Sequence, residues 1–394
     1  MMNERLWTKD FINISLSGFF TFLVFNTFLT TLPVFVIDNL GQNKSQVGLV
    51  ITVFLIASVI IRPFAGLWID SIGRKKIFLY SLAFFTITTF FYLFIENFTF
   101  FLILRFAQGI VFGLATTASG TVLADIVPAK RRGEGISYYG LAMILAMVFG
   151  PYIGITIINN YNFSFLFIVC SILAVFPFIF GASISIPNQT QKKEVKLNKI
   201  QLVESSALPI SITAAIISFG YSGVISFITL YAKEMGFVKV ASIFFIVFAV
   251  VTILTRPITG KLFDQKGPNI IIYPGIFIFS VGLLILSFSS IPLVFLVSAA
   301  FIGLGYGSIV PSFQTLAINA AKPERKGIAT ATFLLFFDIG IGLGSFLLGM
   351  ITAKTSFHAV YVISGIVSFL AIITYYFLHD RKQRRTIISA SKAG

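Results

Sequence analysis

The chain has 394 residues, of which 57% are apolar and only 11% charged, against about a quarter charged in an ordinary soluble domain. A soluble core of this length cannot bury so much apolar surface, whereas a bilayer accepts apolar side chains and leaves helices to satisfy their own backbone groups. The net charge of +15 does not point to nucleic acid, because the basic residues cluster in the short segments between apolar runs.

Apolar runs of membrane length predict an all-α membrane protein with twelve spans near residues 11–37, 47–70, 77–95, 99–124, 135–158, 163–186, 207–231, 240–263, 270–290, 293–320, 328–353 and 358–379. Residues ahead of span 1 are polar, and the run that follows is too long for the core of a cleaved signal peptide. If both termini face inward, 22 of the 29 Lys and Arg fall on the inner side, counting Lys261 at the inner end of span 8, four lie in outer loops and three lie deeper inside spans. The positive-inside rule therefore predicts cytoplasmic termini and a multi-pass protein of the plasma membrane. Acidic lipid headgroups are a secondary partner of the inner face.

Span 2 and the loop after it carry the most informative segment. Val53, Phe54, Arg62, Pro63, Gly66, Asp70 and Gly73 recur, 194 residues later, as Val247, Phe248, Arg256, Pro257, Gly260, Asp264 and Gly267. Gly109, Gly113 and Gly133 recur at the same offset as Gly303, Gly307 and Gly327. Two tandem apolar copies are the signature of a membrane transporter with its site between repeats. The expected organisation is a first half at 1–186, a polar linker at 187–206 and a second half at 207–394 with a short basic tail. In the loop, Gly66 permits close helix approach, Gly73 turns the chain and Arg74 to Lys76 hold it on the inner side. Asp70 suits either the positive N-terminal end of a neighbouring helix or a basic partner.

Further along, Arg105 and Gln108 lie in span 4, and Asp125 closes its inner end. An arginine inside a bilayer is costly and marks either function or a buried hydrogen-bond hub. Span 5 contains Ala146-Met-Val-Phe-Gly150-Pro151-Tyr-Ile-Gly154-Ile155, in which Pro151 bends the helix and the small residues allow tight packing, expected on span 8. Of the 14 carboxylates, only Asp338 lies deep, ten residues into span 11, or about 15 Å at the helical rise. His358 and His379 sit at opposite ends of span 12 and read as boundary residues. The lone Cys170 excludes an internal disulfide. With no phosphate-binding loop, no Cys/His cluster and no nucleophile–base constellation, neither a metal nor a cofactor is expected, and the chain does not read as an enzyme.

The segment from Gly66 to Lys76, with its degenerate copy at Gly260 to Gly267, resembles the signature loop of the major facilitator superfamily. Arg105-Phe-Ala-Gln108-Gly109 resembles the arginine motif of the drug:proton antiporters of that superfamily, and the span 5 segment resembles their antiporter motif, with Ala146 and Ile155 where glycine is usual. The resemblance implies alternating access in a twelve-helix fold of two six-helix halves, with a cavity lined by spans 1, 4, 7 and 10. It places span 2 against span 11 and span 5 against span 8. Asp70 would then face the start of span 11 near Ile328, and Asp125 would partner Arg74, the two forming a cytoplasmic lock. In the second copy Gln265 and Gly267-Pro268 replace the basic run, which puts a locking role there in doubt.

Given that arrangement, Arg62 and Asp338 lie at matching depths and form a candidate ion pair whose protonation would couple to rocking. The alternative is a static structural bridge. Arg256, the counterpart of Arg62, faces Ile144 where Asp338 would be related by the repeat, so it requires another acceptor. Asn26, Arg105, Gln108, Tyr221, Tyr306 and Gln314 lie on the expected cavity spans and are candidate substrate contacts. The expected function is proton-coupled export of small amphipathic organic molecules by a monomer. The alternatives are export of one endogenous metabolite or metallophore, an uptake carrier and, in another class, a non-transporting sensor or scaffold.

Overall fold

A computed structural model describes residues 5–42, 44–185, 202–236, 238–352 and 354–381. Among them there is no strand, and twelve helices are long and apolar enough to cross a membrane. They are α1 (Lys9–Asp38), α2 (Lys44–Ile72), α3 (Arg74–Phe90), α4 (Phe98–Ile126), α5 (Arg132–Asn160), α6 (Phe163–Ala182), α7 (Leu208–Glu234), α8 (Val238–Lys266), α9 (Asn269–Ser287), α10 (Pro292–Ala320), α11 (Lys326–Thr352) and α12 (Phe357–Tyr375). Most of the linker and the basic tail fall outside the described residues.

Local sequence sets where these helices begin and turn. The side chains of Thr8, Asn97, Asn162 and Ser356 accept the backbone N–H three residues on, capping α1, α4, α6 and α12, a role suited to short polar side chains. Prolines open α7 and α10, where a missing N–H costs nothing. The α2–α3 and α8–α9 turns pass through Gly73 at φ 121° and Gly267 at φ 86°, conformations that strain any residue with a Cβ.

The helices gather into two compact units. The first holds the chain through Ala129, then Tyr139–Val203 and Pro323–Ala331; the second holds Lys130–Tyr138, Glu204–Lys322 and the chain from Thr332 onward. Each unit thus includes the start of one helix, α5 or α11, that continues in the other. In the first unit α4 packs on α2 and α3, and α6 on α1 and α3; in the second, α10 packs on α8 and α9, and α12 on α7 and α9. The two patterns are the same under the 194-residue repeat.

The repeated glycines explain the close crossings. A Cβ on Gly109 would lie 2.9 Å from the Ala57 Cβ and press on the Phe54 backbone, and one on its counterpart Gly303 would lie 2.7 Å from the Phe248 carbonyl oxygen. The repeat therefore preserves both sides of one contact, glycine on one helix and phenylalanine on the next. Around it the first unit builds a core from Phe28, Phe35, Phe54, Phe101 and Phe167. Other phenylalanines, such as Phe84 and Phe346, point outward, as a lipid-facing surface allows.

Candidate functional site

The start of α11 is held inside the first unit by Asp70. Its carboxylate accepts the backbone N–H groups of Gly327 at 3.0 Å and Ile328 at 2.9 Å. These are unpaired donors of a helix N-terminus, where the helix dipole also favours an anion. Gly66 and Gly327 let the partners approach: a Cβ on Gly66 would lie 2.7 Å from the Ala331 Cβ, and one on Gly327 would lie 2.6 Å from the Asp70 carboxylate. Around this clamp Arg74 pairs with Asp125, donates to the Pro323 carbonyl and lies 3.7 Å from Asp70. Lys326 completes the set, its Nζ 2.9 Å from Asp125. These four side chains are nearly buried, at 5–12% exposure, so their charges are screened far less than surface pairs.

The second unit contains the same clamp at the start of α5. Asp264 accepts from the Gly133 N–H at 2.9 Å and the Glu134 N–H at 2.8 Å. A Cβ on Gly260 would lie 2.9 Å from the Gly133 carbonyl oxygen and the Glu134 Cα. Sequence reasoning doubted this copy because its basic run is gone. The geometry shows why that sign misleads: the bond requires a carboxylate, two N–H groups and two glycines, and the repeat retains all of them. What differs is the surrounding charge. Asn319 stands where the first clamp has Asp125, Pro268 where it has Arg74, and Arg132 where it has Lys326. Arg132 donates to Asn319, and Arg131 pairs with Glu134 at 2.8 Å.

In the span interiors of the first unit, Arg105 is 1% exposed and Gln108 equally so. Arg105 donates to the Val50 carbonyl at 3.1 Å and to Gln108 Oε1 at 2.8 Å, and lies 4.4 Å from the Phe54 ring centroid. The Tyr92 hydroxyl donates to the same Gln108 oxygen at 2.7 Å. These bonds tie α4 to α2 and to the end of α3. A substrate would reach Arg105 only by displacing them. Gln108 also donates to the Thr89 hydroxyl at 3.4 Å; sequence reasoning singled out neither Tyr92 nor Thr89, and the Val50 acceptor is a backbone carbonyl that leaves no signal.

Asn26 donates to the Phe22 carbonyl at 2.7 Å within α1 and touches α5, where a Cβ on Gly150 would lie 2.7 Å from the Asn26 Cβ. A Cβ on Gly154 would lie 2.6 Å from Thr31. The small residues around Pro151 therefore serve packing on α1, a correction to the expectation that they serve span 8. Gly344 of α11, related to Gly150 by the repeat, approaches α7 in the same way: a Cβ there would lie 2.7 Å from the Phe219 carbonyl oxygen.

Arg62 points toward Thr116 and Thr117 of α4, 3.4 Å from each hydroxyl. Its counterpart Arg256 donates to the Gly307 carbonyl of α10 at 3.3 Å. Tyr221 and Tyr306 are buried and stack with centroids 3.7 Å apart. Asp338 lies within electrostatic reach of Tyr306, and Gln314 is half-buried on α10. Arg62 belongs to the first unit and Asp338 to the second.

Among the described residues, twelve apolar helices, a fold repeated in two units and carboxylate clamps on two helix starts make up the architecture of a membrane transporter. A family model described as the Major Facilitator Superfamily matches residues 14–328 and 240–393, and the chain belongs to that superfamily. It is a multi-pass membrane transporter of small molecules and not an enzyme. It is 26% identical over 375 residues to an uncharacterized MFS-type transporter of Methanocaldococcus jannaschii, covering 90% of this chain and 96% of that protein. It is 27% identical over 395 residues to the multidrug resistance protein MdtG of Escherichia coli, covering 95% and 96%. Among solved structures, the human organic anion transporter MFSD10 superposes with a TM-score of 0.79 at 13% identity, over 93% of this chain and 98% of that one. The Escherichia coli fucose:proton symporter FucP, in its outward conformation, superposes with 0.77 at 16% identity, over 95% and 99%. The two structures speak to the fold alone.

Proposed function

We propose that the protein is a proton-coupled exporter of small amphipathic organic molecules, acting as a monomer in the plasma membrane with both termini cytoplasmic. The observation that carries the alternating-access part is the pair of clamps. Each grips the start of a helix that begins in one unit and continues in the other, through two backbone N–H bonds to one carboxylate. Asp70, Arg74 and Asp125 make the stronger lock. Export of amphipathic compounds is supported by the full-length likeness to MdtG, named as a multidrug resistance protein, and by the Gly150-Pro151-Tyr-Ile-Gly154 segment of α5.

In this reading Arg62 and Asp338 serve proton coupling, with the Asp338 carboxylate as the proton-carrying group. Asn26, Tyr221, Tyr306 and Gln314 contact substrate, while Arg105 and Gln108 shape the cavity wall from behind. Expression in bacteria stripped of their own exporters provides the test: tolerance to several unrelated amphipathic compounds is expected from the wild type and not from Asp338→Asn. Tolerance to none, with the protein present in the membrane, would contradict the export reading.

A further inference from the structure

Arg256 is a cation held in the apolar interior of the second unit, 9% exposed. Guanidinium carries five N–H donors. Among the described residues its one hydrogen-bond acceptor is the Gly307 carbonyl. The titratable groups that reach it are the neutral phenols of Tyr221 and Tyr306, and no carboxylate is among them. Asp338 reaches Tyr306 but does not balance Arg256. A buried cation without an anion is costly, and the fold retains this one beside an unusual aromatic pair.

The Tyr221 and Tyr306 rings stack at 3.7 Å, with Phe248 5.8 Å from Tyr221 and Phe279 5.7 Å from Tyr306. Neither tyrosine hydroxyl has a hydrogen-bond partner among the described residues, although both side chains are nearly buried. Three polar tips thus share one place in the second unit with most of their bonding capacity unused. The guanidinium fork matches a carboxylate or sulfonate in the bidentate manner, the phenols can donate to the same group, and the rings offer a flat apolar wall.

We propose that Arg256, Tyr221 and Tyr306 form an anion-recognising subsite, and that the transported molecules include organic acids with a planar apolar body. This deepens the transporter reading and rests on it for the word transported; the binding claim stands by itself.

The experiment measures binding of three isosteric probes to the purified full chain in lipid nanodiscs by titration calorimetry: 2-naphthoate, 2-naphthamide and 2-naphthylmethylammonium. The wild type is expected to bind naphthoate about tenfold or more tighter than the amide, the factor expected from one charge-assisted pair, and the ammonium weakest. Arg256→Gln should erase the acid-over-amide preference, Arg256→Lys should retain part of it, and Tyr221→Phe with Tyr306→Phe should weaken naphthoate about threefold. Equal affinity of the wild type for acid and amide, or no naphthoate binding at all, overturns the proposal without any variant having to fold. A preference that survives in Arg256→Gln also overturns it. Counterflow of labelled naphthoate in proteoliposomes separates the two readings: binding without counterflow contradicts transport and leaves the subsite standing, whereas counterflow with no acid preference contradicts the subsite alone.

Discussion

The clamps at the starts of α11 and α5 share a backbone geometry and differ in charge. In both, an aspartate accepts two consecutive N–H groups, from Gly327 and Ile328 in one case and from Gly133 and Glu134 in the other. Around Asp70 stand Arg74, Asp125 and Lys326, all nearly buried. Around Asp264 a proline and an asparagine replace Arg74 and Asp125, and the ion pair Arg131–Glu134 is more open, with Arg131 33% exposed. The comparison teaches that a repeat preserves what sterics require and lets electrostatics diverge. A glycine facing another helix's backbone cannot change alone, whereas a charge in a network can be traded.

The largest effect should come from the feature the two clamps share. Gly66→Val or Gly260→Val places a side chain where even a Cβ meets backbone within 2.9 Å, and overpacking of this kind costs about 1–3 kcal/mol or more. Both variants should lose most folded protein, as judged by thermal melting in detergent; a normal melt for either would break the shared-geometry account.

Next in size is loss of the carboxylate. Asp70→Asn removes two charge-assisted bonds and the link to Arg74, about 1.5–3 kcal/mol, and should reduce transport at least about tenfold. Asp264→Asn loses the same backbone bonds without an Arg74 equivalent, and a smaller, few-fold reduction is expected. Equal losses would mean that the surrounding charge contributes nothing.

A smaller effect sharpens the point. A double-mutant cycle on Arg74→Gln and Asp125→Asn should show a coupling of about 1–3 kcal/mol, within the range for buried networks. The same cycle on Arg132→Gln and Asn319→Ala should give about 0.5–1 kcal/mol, as for one ordinary hydrogen bond. Smallest of all, Asn319→Asp introduces the missing acid beside Arg132 and should raise the melting free energy by under about 1 kcal/mol.

Much of the fold was legible in the residues, because apolar runs of bilayer length have few alternatives and the 194-residue offset exposes the repeat. Helix ends moved by a few residues where capping decides them, as at Thr8 ahead of α1. The partners of the glycines on α5 were misjudged, since small residues announce a close contact but not with which helix. The basic run after Gly73 is a poor sign of the Asp264 clamp, whose legible trace in the sequence is the matched pair Gly133 and Gly327. Arg105 and Arg256 each donate to a backbone carbonyl, of Val50 and of Gly307, and a carbonyl looks alike at every position.

The most direct test of the central claim is uptake of a fluorescent amphipathic dye into everted membrane vesicles energised with an acidic lumen, comparing wild type with Asp70→Asn. The account predicts dye accumulation in wild-type vesicles that disappears when the proton gradient is collapsed and falls at least about tenfold in the variant. Accumulation that ignores the gradient, or that Asp70→Asn leaves unchanged at equal protein level, would contradict it.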